Sequence, residues 1–266
     1  MIQIADIKPT SYNANGLTFE MITVEKRATK EGEYDFIMGD NSGYDREKPA
    51  HPVTFKTDFA IGKYPVTQAL WEAVMGKGNN PSRFKGANRP VEQVSWDDIM
   101  IGDKKEGKEA FLDKLNALPS IKAQNLKDGK QFRLPTEAQW EYAARGGKYW
   151  EAMNYQYAGS NQIKEVAWYR QNGHRETKPI GLKMPNILGI YDMSGNVFEW
   201  CKDNWHEDYK GAPNDGRPWF SEKDKNLRVV RGGSWINYDD NCRVSNRYWD
   251  NSDYRNDYIG FRLSRY

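Results

Sequence analysis

Phe132-Arg133-Leu134-Pro135-Thr136-Glu137-Ala138-Gln139-Trp140-Glu141-Tyr142-Ala143-Ala144-Arg145-Gly146-Gly147 is the sharpest local signal in the chain. Thr136 is a good N-cap, Gln139 stands at the capping-box position, and Gly146 supplies a left-handed stop. The stretch predicts a helix of about ten residues whose Trp140, Ala143 and Ala144 face inward by their spacing.

Toward the N-terminus the pattern alternates between strands and capped helices. Leu17 to Glu25 is β-branched and alternating, as a half-buried strand is, and Tyr34 to Gly39 reads as a second strand that closes a hairpin with it. His51 to Lys56 and Phe59 to Tyr64 read as two more strands. Thr67 caps a helix running through Leu70, Trp71 and Val74 to Met75, with Gly76 as its stop, and Ser95 caps another helical region. A helix from about Glu109 to Leu118 shares Phe111, Leu112 and Leu115 on one face. Residues 1–16 are polar and read as an N-terminal arm or a lead strand, leaving 17–266 as one domain without linker or repeat.

Toward the C-terminus the chain reads as loops and short strands. Its last forty residues alternate framework blocks (Arg231 to Trp235, Cys242 to Arg247, Ile259 to Leu263) with runs built almost wholly from Asn, Tyr, Asp, Ser, Ile and Trp. Those runs, within a variable region 231–262, hold Ile236, Asn237, Tyr238, Tyr248, Trp249, Asp250, Asn251, Tyr254, Asn256, Asp257 and Tyr258. They show neither helical period nor strand alternation and read as surface loops. Tyr and Trp give contact area for little rotamer entropy while Asn, Asp and Ser give adaptable hydrogen bonds, which is the make-up of a binding surface. The same small polar residues are also ordinary turn formers.

Composition narrows the function. Lysine and arginine total 39 against 37 acidic residues, a net charge of +2 that argues against a nucleic-acid-binding surface. Aromatics make up 14% of a chain only 38% hydrophobic, so large rings stand in for aliphatics in a loop-rich fold. The start Met1 to Asp6 has neither a basic cluster nor an apolar run, so no signal peptide or membrane insertion is expected. The chain is expected to be made in the cytoplasm and to act on a virion or cell surface. Cys201 and Cys242 leave open whether they pair. The clustered Trp200, Trp205, Trp219 and Trp235 read as core, and Arg231, Arg243, Arg247 and Arg262 as framework holding irregular backbone.

Arg133 to Gly147, Gly189-Ile190-Tyr191-Asp192-Met193-Ser194-Gly195-Asn196-Val197-Phe198-Glu199-Trp200, Arg231-Gly232-Gly233-Ser234-Trp235 and Gly260-Phe261-Arg262 together resemble the formylglycine-generating-enzyme, or sulfatase-modifying-factor, family. The resemblance spans roughly Leu17 to Leu263. It implies an α+β, C-type lectin-like fold, irregular and loop-rich, with a small twisted antiparallel sheet and two main helices. The family's oxidases hold copper between two cysteines after the Gly-Gly-Ser-aromatic motif. Here the first of those places falls on Asn237 and only Cys242 remains near the second, and an amide does not replace a thiolate as a soft ligand, so no copper is expected. The resemblance also implies Ca²⁺ held by Asp192, Gly195, Val197 and Glu199, hard oxygen donors around a tight turn.

The tail more narrowly resembles the variable proteins of diversity-generating retroelements, in which reverse transcription misreads template adenines. Asn codons then become Tyr, Asp, Ser or Ile, the set found in the displayed runs; Trp249 is the departure. The resemblance implies a non-catalytic protein that binds a protein or glycan receptor on a cell surface through its tail, with Tyr248, Trp249 and Tyr258 as anchors. The alternative is an oxidase or accessory protein of the formylglycine-generating type with an altered or lost site.

Overall fold

A computed structural model describes residues 7–28, 30–103 and 106–266. The first half of the chain forms β1 (Thr10–Ala14), β2 (Leu17–Val24), β3 (Phe36–Met38), β4 (His51–Val53), β5 (Phe59–Gly62), α1 (Gln68–Met75), α2 (Trp96–Met100), α3 (Phe111–Ala117), α4 (Pro119–Asp128) and β6 (Phe132–Arg133). The second half adds α5 (Glu137–Ala144), α6 (Ile163–Val166), β7 (Ala167–Trp168), β8 (Ser194–Gly195), β9 (Phe198–Asn204), β10 (Leu227–Arg231), β11 (Arg247–Asn251), β12 (Ile259–Gly260) and β13 (Ser264–Arg265). Five strands make one sheet in the order β1-β2-β5-β13-β6, and four make a second in the order β11-β10-β9-β12. This is the mixed α and β, C-type lectin-like architecture expected from the sequence.

The helix caps are where local chemistry places them. Thr67 accepts from the Leu70 amide, Ser95 from Asp98, and Thr136 from Gln139 at 3.1 Å, with the Gln139 side chain accepting in return from the Thr136 amide. Helix α5 departs from the expected one-sided burial. All eight of its residues are buried, including Glu137, Gln139 and Glu141, because it lies between the two sheets and its carboxylates are used there.

Two further expectations are corrected. The hairpin between β2 and the following strand does not form: β2 pairs with β1 on one side and β5 on the other, while β3 pairs with β4. Of the two readings of the N-terminal stretch, the lead strand holds for Thr10–Ala14, which is β1 of the main sheet; residues 1–6 lie outside the described residues. Tyr248 to Asn251, read as a loop, is the edge strand β11.

The tail ties the two sheets together. β12 runs parallel to β9 in the second sheet, and four residues later β13 enters the middle of the first, between β5 and β6. Between them Phe261 is fully buried against Phe111 and Trp71, with ring centroids at 5.1 and 6.2 Å. The displayed runs are thus short excursions from a segment that the whole core holds at both ends.

Candidate functional site

Each displayed run is bounded by a buried arginine. Arg231, Arg247 and Arg262 are all 0% exposed. Arg247 reaches both oxygens of Glu137, at 2.7 and 2.8 Å, and donates to the Arg46 and His206 carbonyls. Arg231 bridges Glu137 and Glu141, and donates to the Val244 and Ser245 carbonyls. Burial pushes the Glu137 carboxyl upward, but the guanidinium groups of Arg247 and Arg231 outweigh it and hold it below the usual range. Arg243 grips Glu47 at 2.6 and 2.8 Å, and Arg262 grips Glu199 at 2.6 and 2.7 Å. The arginine fork matches a carboxylate with two parallel bonds and has donors left for loop carbonyls, so it positions irregular backbone that no ladder could hold. Gly233 adds a local constraint: its φ is +71°, and a Cβ there would lie 2.8 Å from the Asn241 carbonyl oxygen.

Above this buried layer the displayed side chains emerge. Tyr238 is 57% exposed, Tyr248 46%, Ile236 40% and Trp249 36%. Ile236, Asn237, Tyr238, Tyr248, Asp250 and Tyr258 line one groove of about 400 Å³, together with Arg170, Phe198 and Asn241. Tyr254 and Asn256 join its edge: the Tyr254 and Tyr258 hydroxyls are 3.1 Å apart, and Asn256 donates to the Tyr254 hydroxyl at 2.7 Å.

Three predicted residues are not brought into the groove. Trp249 and Asn251, on β11 with Tyr248 and Asp250, do not line it, although the Trp249 ring stacks beside the Tyr248 ring with centroids 6.3 Å apart. Trp249 lies against Trp205 with ring centroids 6.5 Å apart. Asp257 is buried, and its carboxylate pairs with Arg83 at 2.6 Å, so it is a framework residue inside a displayed run. Conversely, Arg170 and Phe198 belong to the groove although neither lies in the tail. Phe198 stacks on Tyr248 with centroids at 6.2 Å, and the Arg170 guanidinium covers the Tyr238 ring at 4.6 Å while its amide donates to the Asn237 carbonyl at 2.9 Å. No local pattern announces them, since they reach the groove from β9 and from the segment after β7.

The metal expectations meet different surroundings. Both oxygens of Glu199 are bonded by Arg262, and one also accepts from the Trp140 indole at 2.7 Å. Asp192 accepts from the Gly181 amide at 2.8 Å and keeps a buried oxygen without a partner; burial raises its carboxyl to about 6. At the set Asp192, Gly195, Val197 and Glu199 the structure thus has one carboxylate paired with a guanidinium, on Glu199, and one unpartnered buried oxygen, on Asp192. Cys201 and Cys242 are both free and buried. Cys242 packs among Tyr157, Val166, Ala167 and Tyr169, donates to the Tyr238 carbonyl at 3.7 Å, and has its thiol pushed up to about 12 by burial. Asn237 accepts from the Ser234 hydroxyl at 2.5 Å.

A larger cavity, about 630 Å³, lies elsewhere, lined by Asp40, Tyr44, Arg145, Asn154, Asp240 and Arg243 among others. Its strongest groups are spent within the protein: Arg145 on Glu141, Arg243 on Glu47, and Asp240 on the Tyr44 hydroxyl.

With this geometry in view, comparison with known proteins places the chain. Residues 19–266 match the sulfatase-modifying factor enzyme 1-like domain. Over 221 residues the chain is 38% identical to the chaperone protein LppX of Paenibacillus barcinonensis, covering 71% of this chain and 73% of that one. It is 29% identical over 221 residues to the formylglycine-generating enzyme of Thermomonospora curvata, covering 75% of this chain but 62% of the enzyme. Among solved structures, Treponema denticola variable protein 1 superposes with a TM-score of 0.75 at 30% identity, covering 96% of this chain and 98% of its own. PvdO from Pseudomonas aeruginosa superposes at 0.74 with 28% identity, covering 97% and 98%. The match runs from within β2 through the buried arginine layer to the last residue, and the chain belongs to the sulfatase-modifying factor, or formylglycine-generating-enzyme, family.

Proposed function

We propose that the chain is a non-catalytic binding protein that uses the family's fold to hold a diversifiable receptor-binding surface, as the variable proteins of diversity-generating retroelements do. The observation that carries this reading is the convergence of six tail side chains, separated in sequence by buried framework blocks, on one groove. Diversification is useful only where varied positions share a surface and the scaffold is held elsewhere. The likeness to Treponema denticola variable protein 1 over almost the full length of both chains supports it. Trp249, the residue outside the adenine-derived set, also lies outside the groove. The receptor is a protein or glycan on a cell surface, met by a chain carried on a virion or a cell. Among the described residues no helix is long and apolar enough to cross a membrane.

The DNA tests this directly. A near-copy of the segment encoding 231–262, differing at adenines and lying beside a reverse-transcriptase gene, is the expected finding; a locus with neither removes the diversification reading. The alternative, an oxidase or accessory of the formylglycine-generating type, draws on the 29% identity to the Thermomonospora curvata enzyme. Copper-dependent turnover of a cysteine-containing sulfatase peptide by this chain would establish it, and none is expected with Asn237 beside the enclosed Cys242 thiol.

A further inference from the structure

The groove beside β11 holds a carboxylate that no cation among the described residues neutralises. Asp250 stands on the same face of the strand as Tyr248, and Tyr258 and Phe198 complete the surrounding walls. The obvious cation is its neighbour across the ladder, Arg228. That guanidinium is drawn away over the Trp96 ring, 3.7 Å from its centroid, and donates to Asn204 at 3.1 Å. Arg170, at the other end of the groove, is committed to the Tyr238 ring. Among the described residues no cation compensates Asp250, and burial alone pushes its carboxyl up to about 6. A half-buried carboxylate in a groove lined by aromatic rings is costly when empty and is the arrangement that attracts an organic cation.

We infer that the groove seats a primary ammonium group of a protein receptor, as a lysine side chain presents it, on Asp250 between Tyr248, Tyr258 and Phe198. The inference rests on the tail being a binding surface and narrows its ligand from any receptor to a protein with an exposed lysine. Ring faces favour the ammonium and its methylene stem, while the carboxylate takes its N–H donors. A neutral sugar would leave the carboxylate desolvated and unpaired, and an anionic ligand would be repelled by it. Asp250 and its two tyrosines belong to the displayed runs, so the preference is that of this tail; Phe198 and Arg170 lie outside the runs and would line the groove under any tail.

The test uses the full chain and Nα-acetyl-lysine methylamide, with the neutral Nα-acetyl-norleucine methylamide and N-acetylglucosamine as comparison probes, followed by NMR of the tyrosine rings. The lysine probe is expected to bind in the millimolar range and shift Tyr248 and Tyr258. Asp250→Asn should weaken it by about tenfold or more, and Tyr248→Ser by a few-fold, because one removes the charge and the other a wall. Equal binding of the norleucine probe, or undiminished lysine binding by a folded Asp250→Asn variant, overturns the inference. Saturation of the same rings by N-acetylglucosamine with no response to lysine also overturns it, while leaving the binding-surface reading intact. Asp250-dependent lysine binding in a chain whose locus lacks a template copy supports the ammonium site and removes only diversification.

Discussion

Two kinds of residue alternate along the tail, and they differ in what holds them. Arg231, Arg247 and Arg262 are sealed from water and each spans a carboxylate and one or more backbone carbonyls. Tyr238 and Tyr248, a few residues away, keep about half their surface in solvent and make ring contacts with neighbours but no framework bond. The contrast teaches how one short segment can be rigid and permissive at once: backbone geometry is set from below by charge pairs, so the side chains above are free to differ. A hydrophobic anchor of equal volume would not hold these loops as well, because it has no donors for their carbonyls.

The sharpest way to break the contrast is at Arg247. Arg247→Ala leaves Glu137 buried with half its compensation gone, and a loss of about 3–5 kcal/mol is expected in denaturant unfolding. A loss below about 1 kcal/mol would mean that the framework lies elsewhere.

Glu92 sharpens it next, since it is a buried framework carboxylate without a guanidinium. One oxygen accepts from the Phe84 amide at 2.8 Å, the other has no partner, and burial raises it from 4.5 to about 7. The folded chain therefore holds more protons than the unfolded one between those values, and this contribution to stability falls as pH rises through that window and levels off above it. Glu92→Gln should flatten that part of the pH profile and stabilise the protein at pH 8 by about 2 kcal/mol. A variant no more stable than its parent at pH 8 would refute this.

Asp257 tests the boundary, being a framework residue of displayed type. Asp257→Asn should cost about 0.5–1 kcal/mol near pH 5.5, where the pair with the largely exposed Arg83 is lost. The cost should shrink at pH 8, because removing the nearby charge then relieves Glu92. Thermal melts at the two pH values decide it; an equal loss at both would show that the two carboxylates are uncoupled.

The smallest effect belongs to the displayed rings. Tyr238→Ser and Tyr248→Ser should each change stability by less than about 0.5 kcal/mol. A cooperative loss of several degrees in melting temperature from the pair would make those rings part of the core.

Much of the scaffold was legible because its determinants are local. The caps at Thr67, Ser95 and Thr136 depend on a side chain and an amide three residues apart, and α5 follows from one capping box and one glycine stop. Helix α4 was missed because it buries only Ile121 and exposes Leu126, leaving no apolar stripe to read. β3 was paired wrongly because two adjacent strand patterns do not say which partner each takes. β11 looked like a loop because an edge strand with Tyr248 and Trp249 both exposed has no alternation.

By itself the sequence determined the family, the starts of the capped helices, and the division of the tail into framework blocks and displayed runs, since residue type and near-neighbour spacing are enough for these. Tertiary structure alone decided that Trp249 lies outside the groove against Trp205 while Asp250 lines it, that Asp257 serves Arg83, and that Arg170 and Phe198 complete the surface. Those outcomes depend on strand facing and on contacts between residues far apart in the chain, and no side chain carries that information in its identity.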